Sequence, residues 1–373
     1  MNHMNITRKE SRSTPSMLWR SAALGAVGIL GLTACGGGDG GDESSADETF
    51  NLTYTTYSND TSDQSLTVQR WAEEVEELTD GGVTVDFHYS ESLVGAEESL
   101  QATIDGRADM AQVGSLYAAS DLPMYTVSEL PFETNNPEAQ MVALDQLYQE
   151  NDAYRGDFEQ QGVQQLFPLP IGIAVVGLNE PAETPDDLSG LSIRSGGVVS
   201  EAMIGVGANP VSMTATDVYE SMERGVIDGY TSLGIANLST FGLSESTAHV
   251  LEPGIGSYAS SVVVVNQELV DSMPEDYQEA LRTASENAVG YGLEELDTLG
   301  NQACEELQSS GTEFSSFAEE DVTAWQEESG IAEAWVADQG GDAESVLEDY
   351  RQFIDETTES SDYSDPLVAC MGE

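Results

Sequence analysis

The amino-acid sequence predicts an α/β protein of two lobes, each a sheet flanked by helices, with a ligand site in the cleft between them. Three observations predict it. About 320 residues follow position 48, too long for one ordinary core and suited to two lobes. Strand and helix patterns alternate along them, which implies parallel sheets wound with helices. One device also recurs. Gly106-Arg107-Ala108-Asp109 closes a helix and opens a strand that ends at Ser115, and Gly225-Val226-Ile227-Asp228 does the same for a strand that reaches Ser232. Two αβ turns can coincide by chance. Two similar lobes sending strand ends toward a shared cleft is the reading adopted, because ligands of open α/β sheets bind at the carboxyl ends of strands.

The elements follow in order. Leu52, Tyr54 and Tyr57 begin a strand; Val68, Trp71, Val75 and Leu78 then recur at helical spacing, with Gly81-Gly82 ending the helix. Val83, Val85, Phe87 and Tyr89 alternate as a half-buried strand. Ala96 to Ile104 is helical, and Met110 to Val113 is a strand ending at Gly114-Ser115. Asn136-Pro137 starts a helix with Met141, Leu144 and Leu147 inward. Val163 to Leu178 is extended and broken by Pro168, Pro170 and Gly172, as expected of a strand leaving one sheet for another. Thr184-Pro185-Asp186-Asp187 has an N-cap, a Pro and an acid three after the cap. Leu191 and Ile193 face one way, Ser192 and Arg194 the other. Val198 to Val206 is helical. Thr216 caps a helix with Val218, Tyr219 and Met222 inward; Val226, Ile227 and Tyr230 carry a strand, as do Val262 to Val265. Leu269 to Cys304 and beyond is mostly helix.

The first 34 residues read as a targeting signal. Arg8, Lys9, Arg12 and Arg20 precede a short apolar run from Ser21 to Thr33, and Leu32-Thr33-Ala34-Cys35 supplies a small-residue cleavage site. Cys35 at that point resembles a bacterial lipobox, in which the cysteine becomes the acylated first residue; the alternative is a free cysteine after an ordinary signal. Residues 35–48, Cys35 and Ala46 apart, are Gly, Asp, Ser and Glu, a flexible spacer. The expected location is the outer face of the cell membrane, held by the lipid. Cys304 and Cys370 remain; outside the cell such a pair suggests one disulfide, with two buried thiols as the alternative.

The chain carries 68 Asp and Glu against 11 Lys and Arg. Beyond residue 34 there are 67 acids, seven arginines and no lysine. Such a charge excludes nucleic acid and anionic lipid as partners. Disorder is excluded by the 39% apolar content and its periodic placement. An acidic, solvated shell suited to high salt is the expectation.

Several segments resemble one family. Thr184-Pro185-Asp186-Asp187-Leu188-Ser189-Gly190-Leu191-Ser192-Ile193-Arg194 is similar to a "TP-D-L-GL-IR" segment of the DctP-like substrate-binding proteins of tripartite ATP-independent periplasmic (TRAP) transporters. Gly207-Ala208-Asn209-Pro210-Val211-Ser212-Met213, Asp217-Val218-Tyr219 and Gly225-Val226-Ile227-Asp228-Gly229 resemble "GA-P-M", "EVY" and "GVVDG". Leu93-Val94-Gly95-Ala96-Glu97 and Gly106-Arg107-Ala108-Asp109-Met110 resemble "LG-E" and "G-ADM", and Val264-Val265-Asn266 also fits. Each motif is weak alone; their order and spacing over residues 50–300 are specific. The resemblance implies a periplasmic-binding-protein-like fold, a receptor and not an enzyme, an organic-acid ligand, and membrane permease subunits as partners; a monomer is expected, with the oligomeric state left open by the sequence. The divisions expected are 1–34 signal peptide, 35–48 lipidated spacer, 49–171 with 257–295 as the first lobe, 172–256 as the second, and 296–373 as a helical segment bracing both. Closure is expected to hinge near Pro170 to Gly172 and near Gly254 to Tyr258.

Arg194 is the central candidate. A guanidinium offers a rigid donor fork that matches a carboxylate, and the resemblance assigns this residue that grip. A surface arginine paired with one of the many acids is the plainer reading from spacing alone. Ser115 and Ser232, at corresponding strand ends, are candidate hydroxyl donors, or simple turn residues. Ala215 would shape a pocket wall. Tyr117, Phe87 and Tyr258 are candidate aromatic walls, or core residues; Ser58 lies after the first strand, where the family's first loop meets ligand. Two family features depart: Ser232 stands where familiar members have Asn, and Ala215 where they have an aromatic residue. The familiar ligands therefore do not carry over. His88 and His249 lack metal-ligand spacing, so no metal and no cofactor are expected. A receptor for an ATP-driven importer, a sensory lobe and a secreted hydrolase are the competing readings; no placed nucleophile or metal site supports the last.

Overall fold

The computed structural model describes residues 49–372. The expected signal segment, Cys35 and the spacer lie outside the described residues.

Strand β1 (Phe50–Thr55) leads into helix α1 (Asp63–Leu78), whose first turn is capped by the Ser62 side chain accepting from the Ser65 N–H at 3.1 Å. Val68, Trp71, Ala72 and Val75 are buried on its inner face. Next come β2 (Val83–His88), α2 (Ser99–Ile104), β3 (Met110–Gly114) and α3 (Ser115–Ala118). Asn136 Oδ1 accepts from the Glu138 and Ala139 N–H groups and starts α4 (Pro137–Glu150), followed by α5 (Asp152–Gln161) and β4 (Val163–Leu169). The second stretch holds β5 (Val175–Leu178), β6 (Ser192–Arg194), α6 (Val199–Gly205), β7 (Asn209–Val211), α7 (Val218–Glu223), β8 (Gly229–Leu233), α8 (Ile235–Thr240) and β9 (His249–Glu252). The chain returns through β10 (Ser261–Asn266), α9 (Gln267–Ser272) and α10 (Glu275–Ser310). It ends with β11 (Glu313–Ser316), α11 (Glu319–Ser329), α12 (Ile331–Gln339), α13 (Ala343–Thr358) and α14 (Pro366–Met371).

These strands form two sheets, ordered β2-β1-β3-β10-β4 and β11-β9-β5-β8-β6-β7. The architecture is the expected two-lobed α/β one, but the sheets are mixed. β1 runs parallel to β2 and β3, and β6 parallel to β7 and β8, while β10 and β5 lie antiparallel to their neighbours. Each antiparallel strand adjoins a crossing between sheets: β5 follows the 170–174 crossing out of β4, and β10 follows the 253–260 crossing back from β9. The extended stretch from Val163 therefore does leave one sheet and enter the other. Its middle is tied by Asp365, which accepts from the Ile173 N–H at 2.9 Å and the Leu367 N–H at 2.8 Å. Beside it, a Cβ on Gly234 would stand 1.9 Å from the Ile171 carbonyl oxygen, so only glycine allows α8 to start against this crossing.

One helix joins the two cores. Over its 36 residues α10 is about 54 Å long. Leu281, Ala284 and Ala288 pack with Trp71 and Val263 in the first core; Ala303, Cys304 and Leu307 pack with Val250 and Leu238 in the second. The expected division at 295/296 falls inside this helix, and the segment beyond it contributes the edge strand β11 as well as helices.

Three local expectations are corrected. Thr216 does not cap a helix; it lies within a 3-10 turn, Ala215–Asp217. α7 is so short that only Val218 and Met222, one turn apart, face inward, and Tyr219 is 42% exposed. Val226 is 56% exposed, because the strand begins only at Gly229, after Gly225 turns the chain at φ +64° and Asp228 docks on Ser192.

Cys304 on α10 and Cys370 on α14 are bonded, closing a 66-residue separation. Replacing both with serine is expected to lower the urea-unfolding midpoint by an amount equivalent to about 2–4 kcal/mol, since the unfolded chain gains freedom. An unchanged midpoint would show that the packing of Leu367 and Asp365 alone holds the terminus.

Candidate ligand-binding cleft

The carboxyl ends of β1, β3, β6 and β8 converge on one cavity of about 30 Å³ between the sheets. The first lobe lines it with Tyr57, Gln64, Gly114, Ser115, Tyr117 and Ser260, the second with Arg194, Ala215, Ser232, Leu233, Asn237 and Phe241, and the crossing with Ile171.

Arg194 closes β6 and is 1% exposed. Its Nε donates to the Met213 carbonyl at 3.2 Å and one terminal nitrogen to the Thr231 carbonyl at 2.9 Å; the other approaches the Tyr117 hydroxyl at 3.4 Å. All seven arginines beyond residue 34 lie in the described region. Six make ion pairs: Arg70, Arg107, Arg155, Arg224, Arg282 and Arg351. Arg194 alone pairs with no carboxylate among the described residues. A guanidinium has five N–H donors, so three contacts leave one on each terminal nitrogen.

Backbone irregularity builds its surroundings. Between the β8 pairs Tyr230–Gly177 and Leu233–Val175 the strand carries a bulge, which takes Thr231 and Ser232 out of the ladder. Ser232 sits at φ +63° and Ala259 at φ +60°, conformations uncommon for residues with a side chain. The Tyr258 hydroxyl accepts from the Ser232 N–H at 3.0 Å and lies 2.7 Å from Thr231 Oγ. Burial pushes the Tyr258 and Tyr57 hydroxyls above the ordinary tyrosine range, so both are neutral at pH 7. The Tyr117 hydroxyl, from the first lobe, also accepts from the Ala215 N–H of the second at 3.0 Å.

Behind the first-lobe wall lies a buried amide network. Gln112 Nε2 donates to Gln64 Oε1 at 2.5 Å and to Ser261 Oγ at 3.2 Å, while its Oε1 accepts from Ser58 at 3.1 Å and from Thr56. Gln64 Nε2 donates to the Pro170 carbonyl at 3.1 Å. Asn237, 3% exposed, accepts the Gly234 N–H on Oδ1 at 3.1 Å.

Of the eight residues singled out from the sequence, Arg194, Ser232, Ser115, Ala215 and Tyr117 line the cavity. Tyr258 stands just behind Ser232, and Ser58 lies in the Gln112 network. Phe87 is elsewhere: on β2, the edge strand, it stacks on Tyr89 at 5.4 Å and meets Tyr54 edge-on. Sequence reasoning missed Gln64, Asn237 and Phe241. Gln112, a buried polar residue amid Met110, Ala111 and Val113, was the available sign of an interior polar site.

Glu129 also ties the lobes. Its carboxylate accepts the Val198 N–H at 2.9 Å, so close that a Cβ on Gly197 would overlap it. Burial raises its carboxyl from an ordinary 4.5 to about 7, partly offset by the Val198 N–H and the Ser115 hydroxyl.

A mixed two-sheet α/β fold with a polar cavity at the strand ends is the architecture of a solute-binding receptor. The family model for bacterial extracellular solute-binding protein, family 7 (DctP), matches residues 54–334, and the chain belongs to that family, the TRAP transporter solute-binding proteins. It is 27% identical over 271 residues to the C4-dicarboxylate-binding periplasmic protein DctP of Rhodobacter capsulatus, covering 69% of this chain and 78% of that one. Among solved structures it resembles a TRAP solute-binding protein of an unidentified marine microbe, in complex with 3-hydroxybenzoate, at TM-score 0.76 and 19% identity, covering 83% of this chain and 99% of that one. It also resembles the ectoine-binding protein of Halomonas elongata at TM-score 0.75 and 19% identity, covering 82% and 99%. No helix among the described residues is long and apolar enough to cross a membrane.

A carboxyl whose folded-state pKa is raised contributes stability that is full below the unfolded value and lost as pH rises through the folded one. Glu129→Gln is therefore expected to melt higher than the parent at pH 8, by an amount equivalent to roughly 3 kcal/mol. The gain should vanish near the unfolded carboxyl's ordinary 4.5. A gain equal at both ends would show that Glu129 does not titrate in that window.

Proposed function

We propose that this chain captures a small organic acid through Arg194 and delivers it to the membrane subunits of a TRAP transporter. The observation that carries the reading is a buried guanidinium with two spare donors and no counter-ion, in a chain of formal net charge −57. Leaving such a charge buried and uncompensated costs several kcal/mol, and an anionic ligand supplies the missing partner. Two lobes, 49–171 with 257–295 and 172–256, close on it by bending near Pro170 to Gly172 and near Gly254 to Tyr258. Ser115, Ser232 and Tyr117 complete the contacts, and Ala215 keeps one wall small. The protein acts as a monomeric receptor without a catalytic role, exported by its first 34 residues and held at the outer face of the membrane by lipid on Cys35. Its acidic surface suits it to a salt-rich exterior.

Calorimetric titration in about 1 M salt, where charge repulsion is screened, is expected to find binding among small carboxylates. Arg194→Ala should weaken it by roughly a hundredfold or more, as for loss of a buried charge partner. Unaltered affinity in that variant would remove the anion clamp.

The overall negative field repels an anionic ligand. Because the Debye length falls from about 10 Å at 0.1 M salt to about 3 Å at 1 M, stopped-flow association rates are expected to rise between those concentrations. A falling rate would refute this.

A further inference from the structure

The cavity offers one charge and one free amide. Among its lining residues Arg194 is the only charged side chain; the others are neutral amides, hydroxyls, aromatic and aliphatic groups. A second carboxylate on the ligand would be buried without a cation, the arrangement that water desolvation penalises most.

Asn237 supplies the other half. Its Oδ1 is fixed by the Gly234 N–H, which requires an acceptor and so settles which way the amide faces. Its Nδ2 then has no hydrogen-bond partner among the described residues, although the residue is 97% buried and lines the cavity. Gln64 differs: its Oε1 accepts from Gln112 and Ser58, and its Nε2 donates to Pro170. A ligand that covers this nitrogen takes it from water, so one that supplies an acceptor is favoured over one that leaves the donor unmade.

We propose that the ligand is a singly charged carboxylate bearing a second, uncharged oxygen that accepts from Asn237 Nδ2, and that the cleft discriminates against dicarboxylates. This rests on the carboxylate clamp at Arg194 and narrows it to a substrate class.

Matched pairs test it, because a half-amide differs from its diacid by one charge at nearly constant shape. The full chain with its disulfide intact is titrated with succinate and succinamate, glutarate and glutaramate, and terephthalate and 4-carbamoylbenzoate. In each pair that binds, the half-amide is expected to bind at least about tenfold tighter, because the diacid must bury a second charge with no cation beside it. Asn237→Asp keeps the acceptor for Gly234 and removes the donor. The charge it adds acts on every carboxylate alike, so the readout is the ratio of succinamate to butyrate affinity, which should fall by roughly tenfold. A diacid bound as tightly as its half-amide, or an unchanged ratio of succinamate to butyrate affinity in Asn237→Asp, overturns the inference while leaving the Arg194 clamp standing. Absence of binding by all six acids, with none bound by simple benzoate or butyrate, overturns both.

Discussion

A guanidinium held out of water with no carboxylate beside it is the constraint around which the cleft is arranged. Six of the seven arginines beyond residue 34 are spent on ion pairs with acids, and the seventh is kept from them. Neutral acceptors hold it in place. The Thr231 carbonyl is free to do so because the β8 bulge lifts it out of the ladder, and the Met213 carbonyl because the chain turns just before Ala215. The unusual backbone at Ser232 accompanies the same bulge. Local irregularity and site chemistry thus have a common origin.

Buried acids show the opposite solution. Asp63 and Asp365 reside in the interior with no cation paired to them among the described residues, and burial pushes their carboxyls up to about 7 and about 6. With so few basic side chains, proton uptake and backbone N–H groups do what ion pairs do elsewhere. Asp365 puts this to structural use, since its two oxygens join the terminal helix to the crossing between the sheets.

The architecture was legible because its determinants are local. Spacing gave α1, capping chemistry gave α4, and the prolines and glycine after Val163 marked the passage between sheets. Alternation with Leu191 and Ile193 left Arg194 readable as a plain surface arginine, and only the resemblance of the Thr184 to Arg194 segment singled it out. Phe87 failed because alternation reports which residues share a face, never which strand lies at a sheet's edge. Val226 failed because the departure of a turn from the sheet depends on pairing with Ser192, 34 positions earlier. Asn237 was illegible for a related reason: its free donor exists only because Gly234 occupies its other end, and nothing in the order of residues announces a hydrogen bond left unmade.

Tyr117 belongs to the first lobe, yet its hydroxyl touches Arg194 and the Ala215 N–H of the second. The same atom is therefore part of the pocket's wall and part of the seam. Parting the lobes strips the arginine of a neighbour and opens the seam in one stroke, so an open molecule holds two half-sites and no pocket. Affinity and closure are then a single equilibrium: whatever weakens the seam raises the ligand concentration needed to fill the site, even where no atom of the ligand is touched.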